Sequence, residues 1–532
     1  MTESKRPVVY SRRQFLKSTA IASTLLLSLP NNAVAAELMW SALNNESRYP
    51  GSKTAWLNRL KTTRITYDGL VSSLNQEYHY QCEIKGELPS DLDGELLRNG
   101  PGLFERGNMR RRMVIDGDGM VRRFHLKKGT AYFTNRHIRT EKFKAEEKAG
   151  RYLYPSFAML VPKHDGVFTN SIAKMKNQAS VTTFSFGGRV FATDEVQPLT
   201  ELHPQTLQTL GEAKLLSDAD IKFMAHYRIT NFGAKRLHLT AFDPLRKKAQ
   251  VFSFNEQFQV TARSQAVSIS QSFHDWHVTP EFYIFILPPL EVSTVGMVKA
   301  VAGLTTIADG MVFNSQEKTR ILVLPKDNRE PRFFRLPHAI DSWHAVNAFQ
   351  EDDNIIFDFV ASRSRSNNAS NKSPMSRIMR GELEQTKNLR PTTLDRAVIN
   401  YQTGEAKYNH NRFGLTGIEM PTINQSLTGR PTTDAYFIRG YEGVDSQIAH
   451  LDALTGKKEY FDFGAGKYCT EPIVAPGKGT QNSYLLSEVY SHQDRRSYLA
   501  IFDAKNISKG PIAEVWLRHH LPIGFHGFWN AK

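Results

Sequence analysis

Four histidines of this chain stand in short apolar or aromatic segments between residues 226 and 526. The segments read, in order, Met224-Ala225-His226, Ser272-Phe273-His274, Trp343-His344-Ala345 and Gly524-Phe525-His526. Neutral imidazole is the commonest metal ligand in proteins, and four of them without a carboxylate suit a mid-row transition metal. A single histidine in apolar sequence is more often a core residue than a ligand. The four therefore indicate a metal site only if the fold brings them together.

The spacing of these histidines favours a repeating architecture. Successive intervals are 48, 70 and 182 positions, and one propeller blade takes roughly 40–50 residues. The intervals fit one blade, one blade with an insertion, and about four blades. A second series, with intervals of 52 and 55 positions, comprises Glu419, Glu471 and His526. Residues on the innermost strands of successive blades would recur at such intervals and face one axis.

The local pattern predicts short strands joined by turns. Residues 182–191 alternate in polarity around Gly187-Gly188, which is typical of a two-residue hairpin. A strand that ends in aspartate, followed by a turn and another strand, recurs at Asp243, Asp452 and Asp503. With 40% hydrophobic and 11% aromatic residues, the chain can fill a large core. These units predict an all-β fold and favour a propeller, although a generic all-β sandwich remains open.

The first 36 residues resemble an export signal. Ser11-Arg12-Arg13-Gln14-Phe15-Leu16-Lys17 is a twin-arginine motif, an apolar run spans residues 20–29, and Ala33-Val34-Ala35 offers a cleavage site. We expect a signal peptide over residues 1–36 and one domain over residues 37–532. The twin-arginine translocase carries folded proteins, so we expect a bacterial periplasmic or exported protein that receives its cofactor beforehand. The alternative is a membrane-anchored or buried first helix, but the run is short for a bilayer span.

The net charge limits the classes of binding partner, and the cysteine content limits the classes of scaffold. The formal net charge is +15, yet no nucleic-acid-binding motif is present, so we expect no nucleic-acid partner. Weak adsorption to anionic lipid and a merely solvated basic surface both remain open. Cys82 and Cys469 are the two cysteines, which excludes a disulfide-rich scaffold and a Cys-x-x-Cys site. Whether they pair cannot be deduced from their positions.

Residues 285–313, here called the lip, form an apolar segment with few charges. The segment contains Leu287-Pro288-Pro289-Leu290 and the run from Val295 to Leu304. It could contact a membrane surface and admit a lipid-like substrate. It could equally be a helix that covers the core.

Several longer motifs resemble one known family. They are Gly86-Glu87-Leu88-Pro89, residues 92–102 (LDGELLRNGPG), Asp116-Gly117-Asp118-Gly119-Met120 and residues 135–140 (NRHIRT). Together with the four histidine segments, they make the chain similar to the carotenoid cleavage oxygenases from about Gly86 to the C-terminus. This family includes the retinal pigment epithelium isomerase, plant carotenoid dioxygenases, and bacterial apocarotenoid and stilbene oxygenases.

The resemblance implies a seven-bladed β-propeller with a cap of loops and short helices over an axial metal site. It implies one iron(II) per chain, with O₂ as co-substrate, and the metal ligands would be the catalytic residues His226, His274, His344 and His526. It further implies three carboxylates that accept the outer N–H of a ligand ring and fix its tautomer, namely Glu195, Glu419 and Glu471.

The activity implied by the resemblance is oxidative cleavage of one conjugated C=C bond of a carotenoid or apocarotenoid, an apolar polyene. A stilbene-type phenolic dioxygenase and a non-catalytic polyene-binding propeller are the alternatives. The chain departs from common family patterns at Val181, at residues 111–113 (RRM) and at Gln350. These departures leave open the substrate, the bond that is cleaved, and the choice between cleavage and isomerisation.

Overall fold

The structure is a computed structural model that describes residues 48–166, 168–216, 221–363, 374–382, 390–441 and 444–532. The expected signal peptide and its cleavage site lie outside these ranges. Most regular structure in the described part is antiparallel β-strand.

The predicted hairpin around Gly187-Gly188 is confirmed. Strand Thr183–Phe186 pairs with Arg189–Ala192, and Phe186 faces Arg189 across the turn. Both glycines have positive φ, 54° and 75°, as a type I′ turn requires at its two central positions. The turn therefore fixes the register of the first two strands of a sheet.

The recurring aspartates each end a strand and close the turn that follows. Oδ1 of Asp243 accepts the N–H groups of Leu245 and Arg246 at 3.0 Å. Asp452 does the same for the two backbone N–H groups at positions 454 and 455. Such side-chain-to-backbone bonds are the reason why aspartate is favoured at turns. The repeated sequence unit is thus a turn between two adjacent antiparallel strands of one sheet.

Seven antiparallel sheets of four or more strands follow one another along the described chain, and we number them as blades 1 to 7. Blade 2 consists of Thr183–Phe186, Arg189–Ala192, Thr200–Leu202 and Thr209–Glu212. Blade 3 consists of Phe223–Asn231, Lys235–Asp243, Lys248–Phe254 and Val260–Arg263, with Val267–Ser268 beside the third. Blade 4 consists of His277–Val278, Phe282–Leu287, Arg320–Pro325 and Arg332–Arg335.

The remaining blades complete the series. Blade 5 consists of Ala345–Glu351, Asn354–Ser362, Thr392–Asn400 and Ala406–Asn409, and blade 6 of Ile418–Thr422, Asp434–Tyr441, Val444–Asp452 and Lys458–Asp462. Blade 7 consists of Lys467–Cys469, Ile473–Pro476, Ser483–Ser491, Arg496–Asp503, Ala513–Trp516 and Glu83–Gly86. Blade 1 consists of Gly527–Ala531, Gly94–Arg98, Asp118–Lys127, Thr130–His137 and His79–Gln81, with Pro101–Leu103 beside the third.

Blades 1 and 7 each combine strands from both ends of the chain. The C-terminal strand Gly527–Ala531 pairs with Gly94–Arg98 in blade 1. Conversely, Glu83–Gly86 from the N-terminal half pairs with Ala513–Trp516 in blade 7. These exchanges join the last blade to the first through backbone hydrogen bonds.

The hydrophobic core is divided among the contacts between neighbouring blades. One cluster of buried side chains lies between each successive pair from blades 1 and 2 to blades 6 and 7. A seventh cluster, which includes Leu96, Phe124, Leu486 and Ile501, packs blade 7 against blade 1. Each blade is therefore buried on both faces, and the sheets close into a ring. The predicted seven-bladed β-propeller is confirmed.

Short helices and loops cover the end of the ring at which the four histidines lie. The α-helices are Lys53–Thr62, Glu141–Ala149, Thr294–Val301, Ile307–Gly310 and Pro374–Met379. The 3₁₀ turns of this layer are Asp68–Val71, Val114–Asp116 and Ile172–Lys174. Two further 3₁₀ turns lie elsewhere: Gln425–Leu427 contacts the first strand of blade 3, and Ile507–Lys509 contacts the fourth strand of blade 6. Two small sheets complete this layer, Gly51–Ser52 with Met109–Arg110 and Glu105–Arg106, and Leu290–Val292 with Met311–Phe313. Phe525, next to His526, packs in one cluster with Trp56 and Met379 of this cap.

The lip folds as two short helices between the strands of a small sheet. Gly296 and Ala300 of helix Thr294–Val301 are buried, whereas Val295 and Val312 are 47% and 50% exposed. The segment thus covers neighbouring residues with one side and presents apolar side chains with the other. In the described part of the chain, we find no helix with the length and apolar character needed to cross a membrane.

Cys82 and Cys469 are both buried and unpaired. Burial raises the pKa of the Cys82 thiol to about 12 and that of Cys469 well above its usual value. Because the thiolate is the reactive form, both cysteines are unreactive core residues at neutral pH.

Candidate metal centre

The four histidines lie on, or just before, the first strand of four different blades. They belong to blades 3, 4, 5 and 1, whose first strands are Phe223–Asn231, His277–Val278, Ala345–Glu351 and Gly527–Ala531. First strands of neighbouring blades contact one another around the axis, as Gly527–Ala531 does with Thr183–Phe186 and Ile473–Pro476. Side chains at corresponding points of these strands therefore meet on the axis.

The four imidazole rings converge on one point. Each ring offers a nitrogen, and within the described residues these nitrogens form a group whose members lie within 4.8 Å of one another. Nε2 of His226 is 2.9 Å from Nε2 of His274, and Nε2 of His344 is 3.3 Å from Nε2 of His526. Adjacent ligands at a metal–imidazole bond length of roughly 2.1 Å are about 3 Å apart. The rings therefore have the spacing of a metal-ligand set, which we call the four-histidine cluster.

Three rings of the cluster have a glutamate at the outer nitrogen. The Nδ1 contacts are His274 with Glu195, His344 with Glu419 at 2.6 Å, and His526 with Glu471 at 2.8 Å. His344 and His526 donate their Nδ1–H to the carboxylate, and Nδ1 of His274 lies against Glu195 as an ion-pair contact. With the proton on the outer nitrogen, the lone pair of Nε2 is directed at the other rings. Converging lone pairs repel one another, and a cation between them removes this repulsion. The arrangement thus fits a bound metal ion.

Burial shapes the protonation of these rings. Burial, together with the neighbouring imidazoles, lowers the pKa of His226 well below its usual value, and burial lowers the pKa of His526 although Glu471 opposes the shift. Both rings therefore favour the neutral form that binds metal. At His344 burial acts in the same direction, but the Glu419 carboxylate outweighs it and raises the pKa. Metal binding at His344 therefore competes with protonation of that ring.

Glu471 also joins the cluster to the ring-closing strand. Its Oε2 accepts a hydrogen bond from Arg98 at 3.2 Å and from the backbone N–H of Gly527 at 2.8 Å. The same guanidinium donates to the carbonyl of Phe525 at 2.9 Å. Arg98 is fully buried, so one carboxylate holds both the His526 ring and the strand that follows it.

Among the residues that the structure describes, no glutamate contacts the outer nitrogen of His226, and the group in its place was not predicted from the sequence. The carboxylate near its Nδ1 belongs to Asp275, whose Oδ1 is 3.7 Å away. Asp275 is buried, and burial alone would raise its pKa, but Arg228 and the neighbouring rings hold the pKa below its usual value. One feature of the sequence could have indicated this role for Asp275. It directly follows the candidate ligand His274, so it must lie close to the same axis.

A cavity of about 120 Å³ adjoins the cluster. Three of the four rings, His226, His344 and His526, contribute to its wall. Other polar side chains in the wall are Arg228, Asp275, His277, Asn347, Thr422 and Gln425. The cavity therefore offers a polar environment next to the site.

Two other histidines near the ligand segments stay outside the cluster. His277 is 2% exposed, and its Nε2 donates to the carbonyl of Asp358 at 2.8 Å. Burial lowers its pKa to about 4, so it is a neutral core residue. His338 is exposed on the surface. The structure thus separates both residues from the four predicted ligands.

The departures from the common family patterns lie around the site rather than in it. The Val181 carbonyl accepts the backbone N–H of His526 at 3.3 Å. Arg111 is buried beside Ser156, within an ion-pair group that also contains Asp118 and Glu146. Met113 packs with Ala158 and Ala308, next to the lip, whereas Gln350 bonds Glu281 at the surface.

Curated proteins similar to this chain are oxygenases. Apocarotenoid-15,15'-oxygenase of Synechocystis is 28% identical over 484 residues, which cover 85% of this chain and 94% of the relative. Carotenoid 9,10(9',10')-cleavage dioxygenase 1 of Phaseolus vulgaris is 25% identical, with 84% and 86% covered. Beta,beta-carotene 15,15'-dioxygenase of Gallus gallus is 23% identical, with 86% and 97% covered.

The fold has matching solved structures. A tryptophan-to-alanine variant of the Synechocystis apocarotenoid oxygenase superposes with a TM-score of 0.80 at 24% identity, over 88% of this chain and 98% of the other. A cobalt-substituted form of that oxygenase gives a TM-score of 0.79 over the same shares at the same identity. The family model described as retinal pigment epithelial membrane protein matches residues 71–531. The chain therefore belongs to the retinal pigment epithelial membrane protein family.

Proposed function

We propose that this chain is a non-haem, iron(II)-dependent dioxygenase that cleaves one conjugated C=C bond of a carotenoid or apocarotenoid. The observation that carries the proposal is the convergence of four Nε2 atoms, three of them in rings whose Nδ1 faces a glutamate. The named activities of the similar proteins support the substrate class, since they act on carotenoids or apocarotenoids.

In this proposal the metal is held by His226, His274, His344 and His526. Four neutral ligands leave the site with the full charge of the ion and up to two open positions in an octahedron. When bound, iron(II) with open positions supplies the chemistry of O₂ activation. A cobalt-substituted structural relative agrees with a divalent ion in such a site.

The side chains of the chain have two tasks in the reaction. Glu195, Glu419 and Glu471 keep the proton on the outer nitrogen of their rings, so that Nε2 stays a ligand throughout. Trp343 covers one side of His274, with its ring centroid 5.1 Å from that of His274, and so limits water on that side of the ring. The protein must also hold one double bond of the polyene beside the metal, and this placement decides which bond breaks.

The proposed reaction is balanced by O₂ alone. Both oxygen atoms of O₂ are added to the two carbons of one C=C bond, which breaks, and two carbonyl fragments result. Carbon is oxidised and O₂ is reduced, with no further reductant or co-substrate.

A substrate panel tests the proposed class. Protein reconstituted with iron(II) without oxygen is exposed to O₂ and to apocarotenals, carotenes or hydroxystilbenes, and the products are identified by mass. We expect carbonyl products from a carotenoid or apocarotenoid. Cleavage of the hydroxystilbenes alone would assign the chain to the phenolic class, and isomers in place of fragments would exclude cleavage. Binding of polyenes without any oxygen-dependent product would leave a binding protein.

We also propose that the lip contacts a membrane surface from which the apolar substrate enters. Val295 and Val312 are among the exposed large apolar side chains of the described residues, and apolar side chains of this kind can enter the headgroup boundary of a bilayer. A small cavity lies directly behind the lip, lined by Ser156, Met175, Ala300 and Ile307 among others. The basic net charge of +15 would add attraction to anionic lipid.

The double variant Val295→Glu/Val312→Glu should reduce binding to anionic vesicles several-fold in a flotation assay, because two charges replace apolar contacts. Both side chains are half-exposed, so we expect little change in stability. Leu454→Glu is the matched control, since Leu454 is 81% exposed on a turn of blade 6. Equal vesicle binding by the double variant and the wild type would favour the lip as a core cover only.

We propose that the protein acts in the periplasm or outside the cell. A twin-arginine leader over residues 1–36 would direct a folded, metal-loaded domain of residues 37–532 to the periplasm or beyond. Folding and metal loading before export suit a site whose ligands come from four blades, because the four ligands come together only after folding.

A further inference from the structure

Asp275 is bonded to groups that adjoin three of the four histidines. Its Oδ1 accepts a hydrogen bond from Arg228 at 2.5 Å, and Arg228 lies two residues after His226 on the same strand. Its Oδ2 accepts the backbone N–H at position 345, directly after His344, at 2.9 Å. Asp275 itself directly follows His274. One carboxylate therefore ties together the first strands of blades 3, 4 and 5.

The carboxylate is held in one orientation. Its side chain is 5% exposed, and Oδ1 also accepts the backbone N–H of Trp276 at 2.8 Å. The indole N–H of Trp276 donates in turn to the carbonyl of His226 at 3.1 Å. A buried carboxylate with this many donors cannot rotate without breaking several charge-assisted bonds.

The distance from Asp275 to the His226 ring points to a bridging water. Oδ1 and Nδ1 are 3.7 Å apart, which is too long for a direct hydrogen bond. The cavity next to the cluster is lined by His226, Arg228 and Asp275 and has a volume of about 120 Å³. One water occupies roughly 30 Å³ and needs polar partners, which this wall supplies. Polar groups at such a separation are commonly joined by water.

We infer that Asp275 is the positioning residue of His226 and acts on Nδ1 through one water molecule in this cavity. Glu195, Glu419 and Glu471 contact the other three rings directly. The inference rests on the proposed metal site. It predicts that the charge of Asp275 sets the affinity of the site for metal and the ligand field of the bound ion.

The test is cobalt(II) binding to metal-free protein, followed by the visible absorption of the loaded site. Asp275→Asn keeps the shape and removes the charge, and we expect affinity to fall about 10- to 100-fold, as for other carboxylates behind metal-binding histidines. The absorption bands of the bound cobalt should also shift. Arg228→Gln leaves the charge of Asp275 in place and removes a cation that disfavours a second positive charge at His226, so its affinity for cobalt should not fall below that of the wild type.

Asp358→Asn is the matched control. Asp358 pairs with Arg396 through two contacts of 2.7 Å in blade 5, and its carboxylate does not touch the cluster. This variant should bind cobalt with wild-type affinity and spectrum.

One outcome would contradict the inference, namely cobalt affinity and absorption of Asp275→Asn within about twofold of the wild type, a change too small for such a carboxylate. If Asp275→Asn does not fold, Asp275→Ser, which also removes the charge, decides the question by the same criterion. If wild-type protein binds no cobalt, the proposed function fails first, which distinguishes the two failures.

Discussion

Replacing His274 with alanine should abolish metal retention. Its Nε2 lies 2.9 Å from Nε2 of His226, and its Nδ1 contacts Glu195. The substitution removes one of the four proposed ligands, and the other three histidines of the cluster already supply one nitrogen each. The metal content of purified protein, measured by mass spectrometry, should fall from one ion per chain to a trace, and oxygen-dependent activity should fall with it.

His277→Ala is the matched control, three residues along the same segment. His277 is buried, donates a hydrogen bond to the carbonyl of Asp358, and lies outside the four-histidine cluster. We expect His277→Ala to be less stable, by about 1–3 kcal/mol for the acceptor it leaves unpaired, and to keep its metal. Equal metal loss in the two variants would mean that the ligand set is wrong.

Replacing Glu471 with alanine should produce the largest loss of stability among these variants. Arg98 is fully buried, and Glu471 provides its carboxylate partner through the 3.2 Å contact. Removing one partner of a buried ion pair leaves an uncompensated charge and costs about 3–5 kcal/mol. The same change releases the Nδ1–H of His526 and the backbone N–H of Gly527. Urea unfolding of the metal-free protein should report this loss without any contribution from metal binding.

Glu405→Ala provides the comparison for Glu471→Ala. Glu405 pairs with Lys407 at the surface, where both side chains are more than half exposed, so no measurable change is expected. A free energy of unfolding of Glu471→Ala within about 1 kcal/mol of the wild type, as for a surface pair, would show that Arg98 does not depend on this carboxylate.

Local features of the sequence were sufficient to predict the strands and turns. The Gly187-Gly188 hairpin and the turns at Asp243 and Asp452 depend on residues within a few positions of one another. Alternation of polarity and turn chemistry act at this range. They could not distinguish a propeller from a sandwich, because that difference is made by contacts between sheets. The family resemblance, rather than the spacing, supplied the number of blades.

The residues that meet at the candidate site were predicted from the sequence, whereas the side chains that hold them in place were not. The four histidines and three glutamates stand in recognisable segments, and the structure brings each glutamate to its ring. The contact of Arg98 with Glu471 joins residues 373 positions apart, and it exists only because the C-terminal strand closes the ring. Asp275 likewise meets Arg228 and the residue after His344 only when three blades are in register. Such long-range contacts leave no pattern of their own in the sequence, and the one local signal for Asp275 is its position directly after His274.

Labelled oxygen provides the most direct test of whether the chain is an iron-dependent dioxygenase. Protein reconstituted with iron(II) is given an apocarotenoid and ¹⁸O₂, the reaction is quenched at once, and both fragments are analysed by mass. We expect iron-dependent cleavage with one labelled oxygen in each carbonyl fragment. Label in one fragment only, or an iron-loaded site with no oxygen-dependent loss of any carotenoid or apocarotenoid, would contradict it.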